Sequence, residues 1–253
     1  MTEPKHPVRS VDRALDVLEV LQELNGATVS EVAARVDIGK SAVHNQLRTL
    51  ANRDYVVQEG DQYDIGLAFL GLGAYARNRT RIYQTARPEV EKLAHETGEL
   101  VNLMVEKNGV GIYLHQAKGD NAVQLDTYEG KQVSLHCTAL GKAILAFRPR
   151  EEVEAYIDEY GLPQVTEHTI TDHDEFFDEL DRVRDRNYAT DSEERLTGLR
   201  CIAAPITDGQ DRSIAAVSVS CPAHRVSDER FEGELPDAAL ATANVIELEH
   251  NYS

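Results

Sequence analysis

The chain has 253 residues, of which 42% are apolar, and a formal net charge of −18. This length exceeds that of a typical single domain, so two folded domains of unequal size are expected. No apolar run approaches the roughly 20 residues that cross a bilayer, which excludes a helical membrane protein. The first ten residues, MTEPKHPVRS, lack the apolar core of a signal peptide, so a cytoplasmic protein is expected.

The charge balance does not exclude nucleic acid as a partner. Acidic residues number 44 against 26 basic ones, and only seven of the basic residues are lysine. This combination predicts a protein that works in concentrated salt, and therefore a halophilic source. At about 1 M salt the Debye length is roughly 3 Å, so distant carboxylates would hardly repel a duplex. The alternative is an ordinary acidic cytoplasmic protein whose basic residues are concentrated on one face.

The N-terminal segments follow a helix-turn-helix pattern. The first predicted helix has one apolar stripe and stops at Asn25-Gly26. Thr28 and Glu31 form a capping box for a second short helix. A break that contains Gly39 leads to a third helix, from Lys40 to Asn52, and two short helices joined by a tight turn define the motif. The stripe of the first helix consists of Val11, Ala14, Leu15, Leu18 and Leu21.

A hairpin and a linking helix are predicted next. Tyr55 to Val57 and Tyr63 to Ile65 flank a Gly60-Asp61 turn, which predicts the wing of a winged helix-turn-helix. Gly66 to Thr80 is predicted as a linking helix whose Leu67, Leu70 and Ala74 share one side. That face is too short to bury itself alone, so a symmetric homodimer or tetramer is expected. The predicted domains are 1–66 for DNA binding, 67–80 for the linking helix and 81–253 for effector binding.

The third helix has a polar face that suits DNA. At 100° per residue, Asn45 and Arg48 lie opposite the apolar Val43 and Leu47. Asparagine pairs with adenine and arginine with guanine, while Lys40 at the helix start is placed to reach a phosphate. The alternative for this face alone is an ordinary solvated surface. The predicted DNA-contacting residues are Arg9, Arg13, Lys40, Ser41, His44, Asn45, Arg48, Thr49 and Asn52.

Beyond residue 80 the pattern predicts an α+β domain. A helix runs to Gly98, and Asn108-Gly109 joins the strands Leu100 to Glu106 and Val110 to Ala117 as a hairpin. A further strand is predicted from Val123 to Tyr128. Strands flanked by helices favour a sensor-like α+β domain over a doubly wound one. The remaining predicted elements are helices at 138–147, around 150–160 and 173–187, strands at 201–206 and 213–220, and a final helix that opens at Ser227.

The sequence resembles the IclR family of transcriptional regulators over nearly its whole length. SVDRALDVLEVLQ, SAVHNQLRTL and YDIGLAFLGLG are similar to the DNA-binding domain and linker, and LHCTALGKAILA, TDSEERLTGLRCIAAPI and AAVSVSCP to the effector-binding domain. The resemblance implies a GAF-like α/β effector-binding domain, no cofactor, and operator DNA and a small molecule as partners. Where family members often carry arginine, this chain has Asn45, so the operator sequence cannot be carried over.

The resemblance also implies an effector pocket. Its expected contacts are the backbone amides of two residues at a helix start, the side chains of four polar residues and three apolar walls. Free amides at a helix N-terminus attract anionic or polar oxygens, which agrees with this arrangement. The ligand would be an organic acid, a sugar derivative or an aromatic acid. The implied residues are Ala139, Leu140, Asp191, Cys201, Ser218, Ser220, Leu125, Val133 and Leu199.

Two other functions compete with this interpretation. Cys137, Cys201 and Cys221 are too widely spaced for a disulfide framework, but together with a histidine they would suit a zinc or thiol sensor. A hydrolytic enzyme that combines Asp191, Ser218 and His136 is less favoured, because no GxSxG motif surrounds the serine. Gly141-Lys142 lacks the remaining residues of a phosphate-binding loop. The expectation is a regulator and not an enzyme.

Overall fold

A computed structural model describes residues 8–252 of the protein, and these residues divide between Ala76 and Arg77 into two compact units. No helix within the described residues is long and apolar enough to cross a membrane. The first unit contains α1 (Arg9–Leu24), β1 (Ala27–Thr28), α2 (Val29–Arg35), α3 (Lys40–Ala51), β2 (Val56–Glu59) and β3 (Gln62–Ile65). The helix α4 (Ala68–Asn78) follows.

Local sequence signals set the ends of the elements in the first unit. Helix α1 stops where Asn25 adopts a left-handed conformation at φ 54°. The predicted capping box at α2 is confirmed: the Glu31 amide donates to the Thr28 hydroxyl, and the Glu31 carboxylate accepts from the Thr28 amide at 2.8 Å. The predicted hairpin is also confirmed, and β1 adds a third strand in the order β1-β3-β2. The result is a winged helix-turn-helix.

The buried face of α1 differs from the predicted stripe. Val17 and Leu21 are fully buried in the core of the unit, whereas Val11 and Leu15 are 56% and 52% exposed. The short α2, α3 and hairpin cover the C-terminal half of this 16-residue helix only. Periodicity identified the helix correctly, but it could not show how much of the apolar stripe the small unit would cover.

The second unit is a six-stranded antiparallel sheet with helices on both faces. The strand order is β6-β5-β4-β9-β8-β7. A short π-helical turn, Arg230–Glu234, precedes the last helix. The elements are α5 (Arg81–Thr97), β4 (Leu100–Lys107), β5 (Val110–Lys118), β6 (Gln132–Val133), α6 (Ala139–Ala146), α7 (Arg150–Tyr160), α8 (His173–Arg186), β7 (Ala189–Ser192), β8 (Leu199–Thr207), β9 (Ser213–Pro222) and α9 (Leu235–Tyr252).

The pleat of the central strands sorts their residues into two cores. Because successive side chains point to opposite faces, odd and even positions of one strand belong to different layers. Val217 and Val219 on β9 pack with α5 and α9, as does Leu103 on β4. Ala216 on β9 and Met104 on β4 pack on the other side, with α6, α7 and α8. The expected α+β class is therefore correct.

One predicted strand is wrong. Residues 123–128 form an irregular segment, although their burial alternates, with Thr127 buried and Asp126 exposed. The edge of the sheet is taken instead by β6, which pairs with Gly111 and Ile112 of β5. The alternating pattern therefore correctly indicated which side chains of the segment face the protein. It did not indicate that the segment pairs with a neighbouring strand. The two short strands β6 and β7 were not predicted.

Candidate effector cavity and DNA-contact surface

A small cavity lies between the sheet and α6 in the second unit. The space that the centres of water molecules can reach is about 20 Å³, which is room for one or two waters. A metabolite would therefore require the walls to move apart. The lining residues are Asn102, Tyr113, Leu125, Thr138, Ala139, Leu140, Asp191, Arg195, Leu199, Cys201, Ser218 and Ser220.

The sheet brings the polar lining residues together. Ser218 and Ser220 are two apart on β9 and so share the face of the sheet that lies toward α6. Across the ladder, Asn102 of β4 stands opposite Ser218, and Cys201 of β8 stands opposite Ser220. The Cys201 thiol donates to the Ser220 hydroxyl at 3.3 Å. The Ser218 hydroxyl is buried and has no hydrogen-bond partner within residues 8–252.

The N-terminus of α6 forms the opposite wall. Thr138 caps the helix, and its hydroxyl accepts a hydrogen bond from the Gly141 amide at 2.9 Å. The amides of Ala139 and Leu140, in the first turn, have no acceptor within the helix itself. Because the helix dipole adds positive potential here, this wall suits an anionic or carbonyl oxygen.

Asp191 is the acidic group of the cavity. It lies on β7 and is 2% exposed, and its Oδ1 accepts hydrogen bonds from the amides of Glu194 and Arg195 at 2.8 and 3.4 Å. Burial, assisted by the nearby Glu194 carboxylate, raises the pKa of Asp191 to about 7. Near neutral pH, much of the population therefore carries a proton on this carboxyl group.

A buried ion pair holds the loop after β7 against α6. Lys142, 1% exposed on α6, lies 2.5 Å from Glu194 Oε1 and 3.9 Å from Glu179 on α8. The Thr169 hydroxyl donates to the Glu194 carbonyl at 2.7 Å. These contacts fix the loop that carries Arg195 into the cavity wall. The Gly141-Lys142 sequence resembled part of a phosphate-binding loop, but in the structure Lys142 forms a buried ion pair with Glu194.

Most residues of the implied pocket meet in this one cavity. Among the implied residues Val133 is the exception, because it packs beside the α6 core without lining the cavity. Four lining residues were missing from the sequence-based set: Asn102, Tyr113, Thr138 and Arg195. The hairpin pattern placed Asn102 on a strand but could not give its register with Ser218. The loop position of Arg195 gave no periodic signal at all.

The cysteines do not converge on a metal site. Cys201 faces the α6 side of the sheet and Cys221 the α5 side, because they occupy positions of opposite parity across the β8/β9 ladder. Burial raises the pKa of the Cys137 thiol to about 11 and that of Cys221 to about 12, so both are protonated thiols when no metal is bound. Within residues 8–252, no group of three His, Cys, Asp or Glu residues is placed to hold a metal ion. The alternative of a three-cysteine metal site is therefore wrong.

The residues of the rejected hydrolytic triad also do not form a catalytic array. His136 Nε2 is 2.9 Å from the Pro163 carbonyl oxygen, so this nitrogen carries the proton and donates it there. Its Nδ1 and the Ser218 hydroxyl each lack a hydrogen-bond partner among the described residues, so the two groups are not bonded to each other.

The predicted DNA-contact residues form two groups in the first unit. One group lies on α3 and at its C-terminal cap, and all of its side chains are exposed, while Val43 and Leu47 anchor the opposite face in the core. The other group, Arg9 and Arg13, is exposed in the first turns of α1. The members of the α3 group are Lys40, Ser41, His44, Asn45, Arg48, Thr49 and Asn52.

A winged helix-turn-helix in one unit and a polar buried cavity in the other define a ligand-responsive DNA-binding protein. The family described as "IclR helix-turn-helix domain" matches residues 10–60, and "Bacterial transcriptional regulator IclR C-terminal" matches residues 74–248. The chain therefore belongs to the IclR family of transcriptional regulators. It has a DNA-binding helix-turn-helix domain and an effector domain.

Curated relatives and solved structures agree with this assignment. The chain is 33% identical over 97% of its length to the "Probable HTH-type transcriptional regulator ArcR" of Halobacterium salinarum, with 95% of that protein covered. It is 35% identical over 93% of its length to the HTH-type transcriptional regulator BhcR of Paracoccus denitrificans, with 85% covered. The crystal structure of the Thermotoga maritima IclR has a TM-score of 0.79 at 27% identity, covering 97% of this chain and all of that one. Both curated relatives are described as HTH-type transcriptional regulators.

Proposed function

We propose that this regulator reads its operator through the exposed face of α3. The observation that carries the proposal is the set of polar side chains on that face, which is held outward by the burial of Val43 and Leu47. Asn45 and Arg48 contact base edges, and Lys40 contacts a phosphate. The remaining proposed contacts are Arg9, Arg13, Ser41, His44, Thr49 and Asn52. We assign DNA binding to residues 1–66 and effector binding to residues 81–253, joined by 67–80.

Alanine substitution tests this assignment on sites selected from a random DNA pool. Asn45→Ala or Arg48→Ala should each weaken binding to the selected site by roughly 1–3 kcal/mol and relax specificity at one position. Lys40→Ala should weaken binding to all sequences about equally. Arg182→Ala removes a cation from α8 in the other unit and serves as the charge control. Equal losses on selected and random DNA for both α3 base-reading variants would contradict the assignment.

The effector proposal rests on the cavity of the second unit. The proposed contacts are the amides of Ala139 and Leu140, the polar side chains of Asp191, Cys201, Ser218 and Ser220, and the apolar walls Leu125 and Leu199. We infer a small oxygen-rich metabolite: an organic acid, a sugar derivative or an aromatic acid. A solved IclR homologue from Microbacterium hydrocarbonoxydans is complexed with 4-hydroxybenzoate; at 20% identity and a TM-score of 0.81 it supports the fold of this chain. Calorimetry on Asp191→Ala and Ser218→Ala, with DNA binding in parallel, tests the site.

Effector control requires a connection between the cavity and the linking helix. Leu125 lines the cavity, and Glu129 on the same irregular segment forms an ion pair with Arg77 in the last turn of α4. Glu129 also lies 2.7 Å from His115 Nδ1. A ligand shifts an equilibrium only by its differential affinity for the two states, typically about 1–3 kcal/mol of coupling. We infer that movement of this segment changes the position of the DNA-binding domain relative to that of a second copy of the chain.

We propose that the chain acts in the cytoplasm as a homodimer or tetramer. Helix α4 buries none of its residues, and Leu67 and Leu70 are 84% and 70% exposed. Leu70 lies in α4 and Leu67 directly precedes it, and exposed leucines here favour a self-complementary interface, which would place paired half-sites at multiples of one DNA turn, about 10 bp. Light scattering at working salt checks this expectation. A monomer at micromolar concentration would contradict it.

We also propose a halophilic, archaeal source for this chain. The acid excess supports it, and the 33% identical relative comes from Halobacterium salinarum. Screening by concentrated salt reduces repulsion between the surface carboxylates. The free energy of unfolding should therefore rise between about 0.2 and 2 M KCl, and selective DNA binding should persist at the upper value. Unfolding that becomes easier with added KCl would contradict this proposal.

A further inference from the structure

The cavity contains a cation that the family resemblance did not supply. The Arg195 side chain is 13% exposed and lines the cavity with Tyr113 and Cys201. Its nearest acidic partner is Asp126, whose Oδ1 lies 3.2 Å from Nη2 of Arg195. Among residues 8–252, no other acidic side chain lies within salt-bridge distance of this guanidinium. A mostly buried guanidinium thus depends on one carboxylate that is itself 65% exposed.

Asp126 is shared between two cations. Lys131 also forms an ion pair with Asp126 and donates to its backbone carbonyl at 2.9 Å. Hydrogen bonding by Lys131, with the charge of Arg195, holds the pKa of Asp126 below its ordinary value. Two positive charges therefore face one negative charge at this edge of the cavity. An anion that approaches Arg195 meets a group that is not fully neutralised.

Two other parts of the lining, the start of α6 and Ser218 on β9, offer hydrogen-bond donors. The first-turn amides of α6 are donors, and the buried Ser218 hydroxyl has no hydrogen-bond partner among the described residues. Asp191 is the acid that lines the cavity, and the amides of Glu194 and Arg195 already occupy its Oδ1. The cavity therefore offers hydrogen-bond donors for an anion at two places: the α6 amides with Ser218, and the Arg195 guanidinium.

We propose that Arg195 is a specificity-determining residue that binds a second acidic group of the effector, so that the ligand class is a small diacid. This inference rests on the proposed effector site. One ligand carboxylate occupies the α6 amides, and the other replaces Asp126 as the partner of Arg195. The planar guanidinium can bind a carboxylate through two parallel hydrogen bonds, which a neutral amide group of the same shape cannot match in strength.

Matched ligands and variants test this assignment. The probes are malonate, succinate and malate, each compared with its monoamide at constant ionic strength, with binding measured by calorimetry. At least one diacid should bind the unaltered chain about 10- to 100-fold more tightly than its monoamide, the loss expected when a charged hydrogen bond is removed. Arg195→Gln should remove this preference and leave monoamide binding within about threefold. If no diacid binds more tightly than its monoamide, the proposal is overturned.

A second pair of variants separates recognition from structure. Asp126→Asn removes the competing carboxylate and should tighten diacid binding up to about fivefold, but only while Arg195 is present. Arg200→Gln removes a neighbouring cation that pairs with Asp228 and does not line the cavity, so the diacid preference should remain. An Arg195→Gln chain that keeps the preference, or an Arg200→Gln chain that loses it equally, would overturn the proposal.

Measurements of DNA binding distinguish a failure of the diacid proposal from a failure of the proposed function. Arg195→Gln should bind the selected DNA site like the unaltered chain when no ligand is added, because Arg195 lies in the second unit and its backbone contact to Asp191 survives the substitution. Loss of diacid preference with intact site-specific DNA binding supports the assignment to Arg195. Intact DNA binding with no diacid preference in the unaltered chain overturns the ligand class alone. Absence of any site-specific DNA binding would instead contradict the proposed function.

Discussion

The two faces of the six-stranded sheet are built from the same strands but serve different purposes. The face toward α5 and α9 is apolar, with Val101, Leu103, Val217 and Val219 all fully buried. The face toward α6 carries Asn102, Ser218, Ser220 and Cys201 at the alternate positions.

The comparison shows how one sheet can hold a stable core and a responsive site. Apolar residues packed without voids resist rearrangement, since even one missing methylene is felt in a dense core. Buried polar groups without partners carry a free energy penalty that a ligand relieves. The α6 side is therefore the side on which binding energy changes the structure, while the α5 side holds the strands in register.

The largest expected effect is the loss of packing on the α5 side. Leu103→Ala should lower the free energy of unfolding by about 2–5 kcal/mol, because Leu103 is fully buried and its removal leaves a cavity. Leu125→Ala, on the partly exposed wall of the effector cavity, should lower it by about 1 kcal/mol or less. Chemical denaturation of both variants measures the difference. Equal losses would mean that the cavity wall is packed as tightly as the α5 side of the sheet.

The α6 side should also determine how stability depends on pH. The pKa of Asp191 is raised from 3.8 to about 7, so the folded state binds a proton more tightly than the unfolded state between about pH 4 and 7. Stability from this group is therefore fully present below about pH 4 and is lost as pH rises through about 7, at up to roughly 1.4 kcal/mol per pH unit.

Asp191→Asn isolates this contribution. Asparagine retains the Oδ1 acceptor for the amides of Glu194 and Arg195 but does not titrate. The difference in unfolding free energy between the unaltered chain and the variant should change steadily from pH 4 to 7 and level off above. Since an anionic ligand favours protonated Asp191, binding of a carboxylate probe should also weaken from pH 6 to 8 in the unaltered chain and less so in the variant. Parallel stability curves for the two chains would contradict the raised pKa.

The helices and strands could be predicted from the sequence more readily than the residues that line the cavity. Capping at Thr28 and the Asn108-Gly109 turn are local chemistry, so they could be predicted from neighbours in the chain. The strand expected at 123–128 failed because alternation reports burial and not ladder formation. Arg195 was missed because its position depends on the loop that Lys142 and Glu194 hold, and that contact joins residues 52 apart. The family resemblance predicted most of the residues that line the cavity. The sequence pattern alone predicted only that α6 begins there and that Ser218 and Ser220 share one face of a strand.

The smallest expected change in unfolding free energy comes from removal of the Ser218 hydroxyl, and the sign of this change shows whether the hydroxyl has a structural role. Ser218 and Ser213 lie on the same strand and are both buried, but the Ser213 hydroxyl donates to the Ala215 carbonyl at 3.0 Å whereas that of Ser218 has no hydrogen-bond partner within residues 8–252. Ser213→Ala should therefore lower the unfolding free energy by about 1 kcal/mol, since a hydrogen bond is lost. Ser218→Ala should leave it unchanged or raise it by about 1 kcal/mol, because no hydrogen bond to another protein group is lost and a buried polar group is removed. The same substitution should weaken carboxylate binding to the cavity, which Ser213→Ala should not affect.

Denaturation and calorimetry on the two variants measure both quantities. If Ser218→Ala destabilised the chain as much as Ser213→Ala, its hydroxyl would have a structural partner, and the α6 side of the sheet would be as fully satisfied as the α5 side.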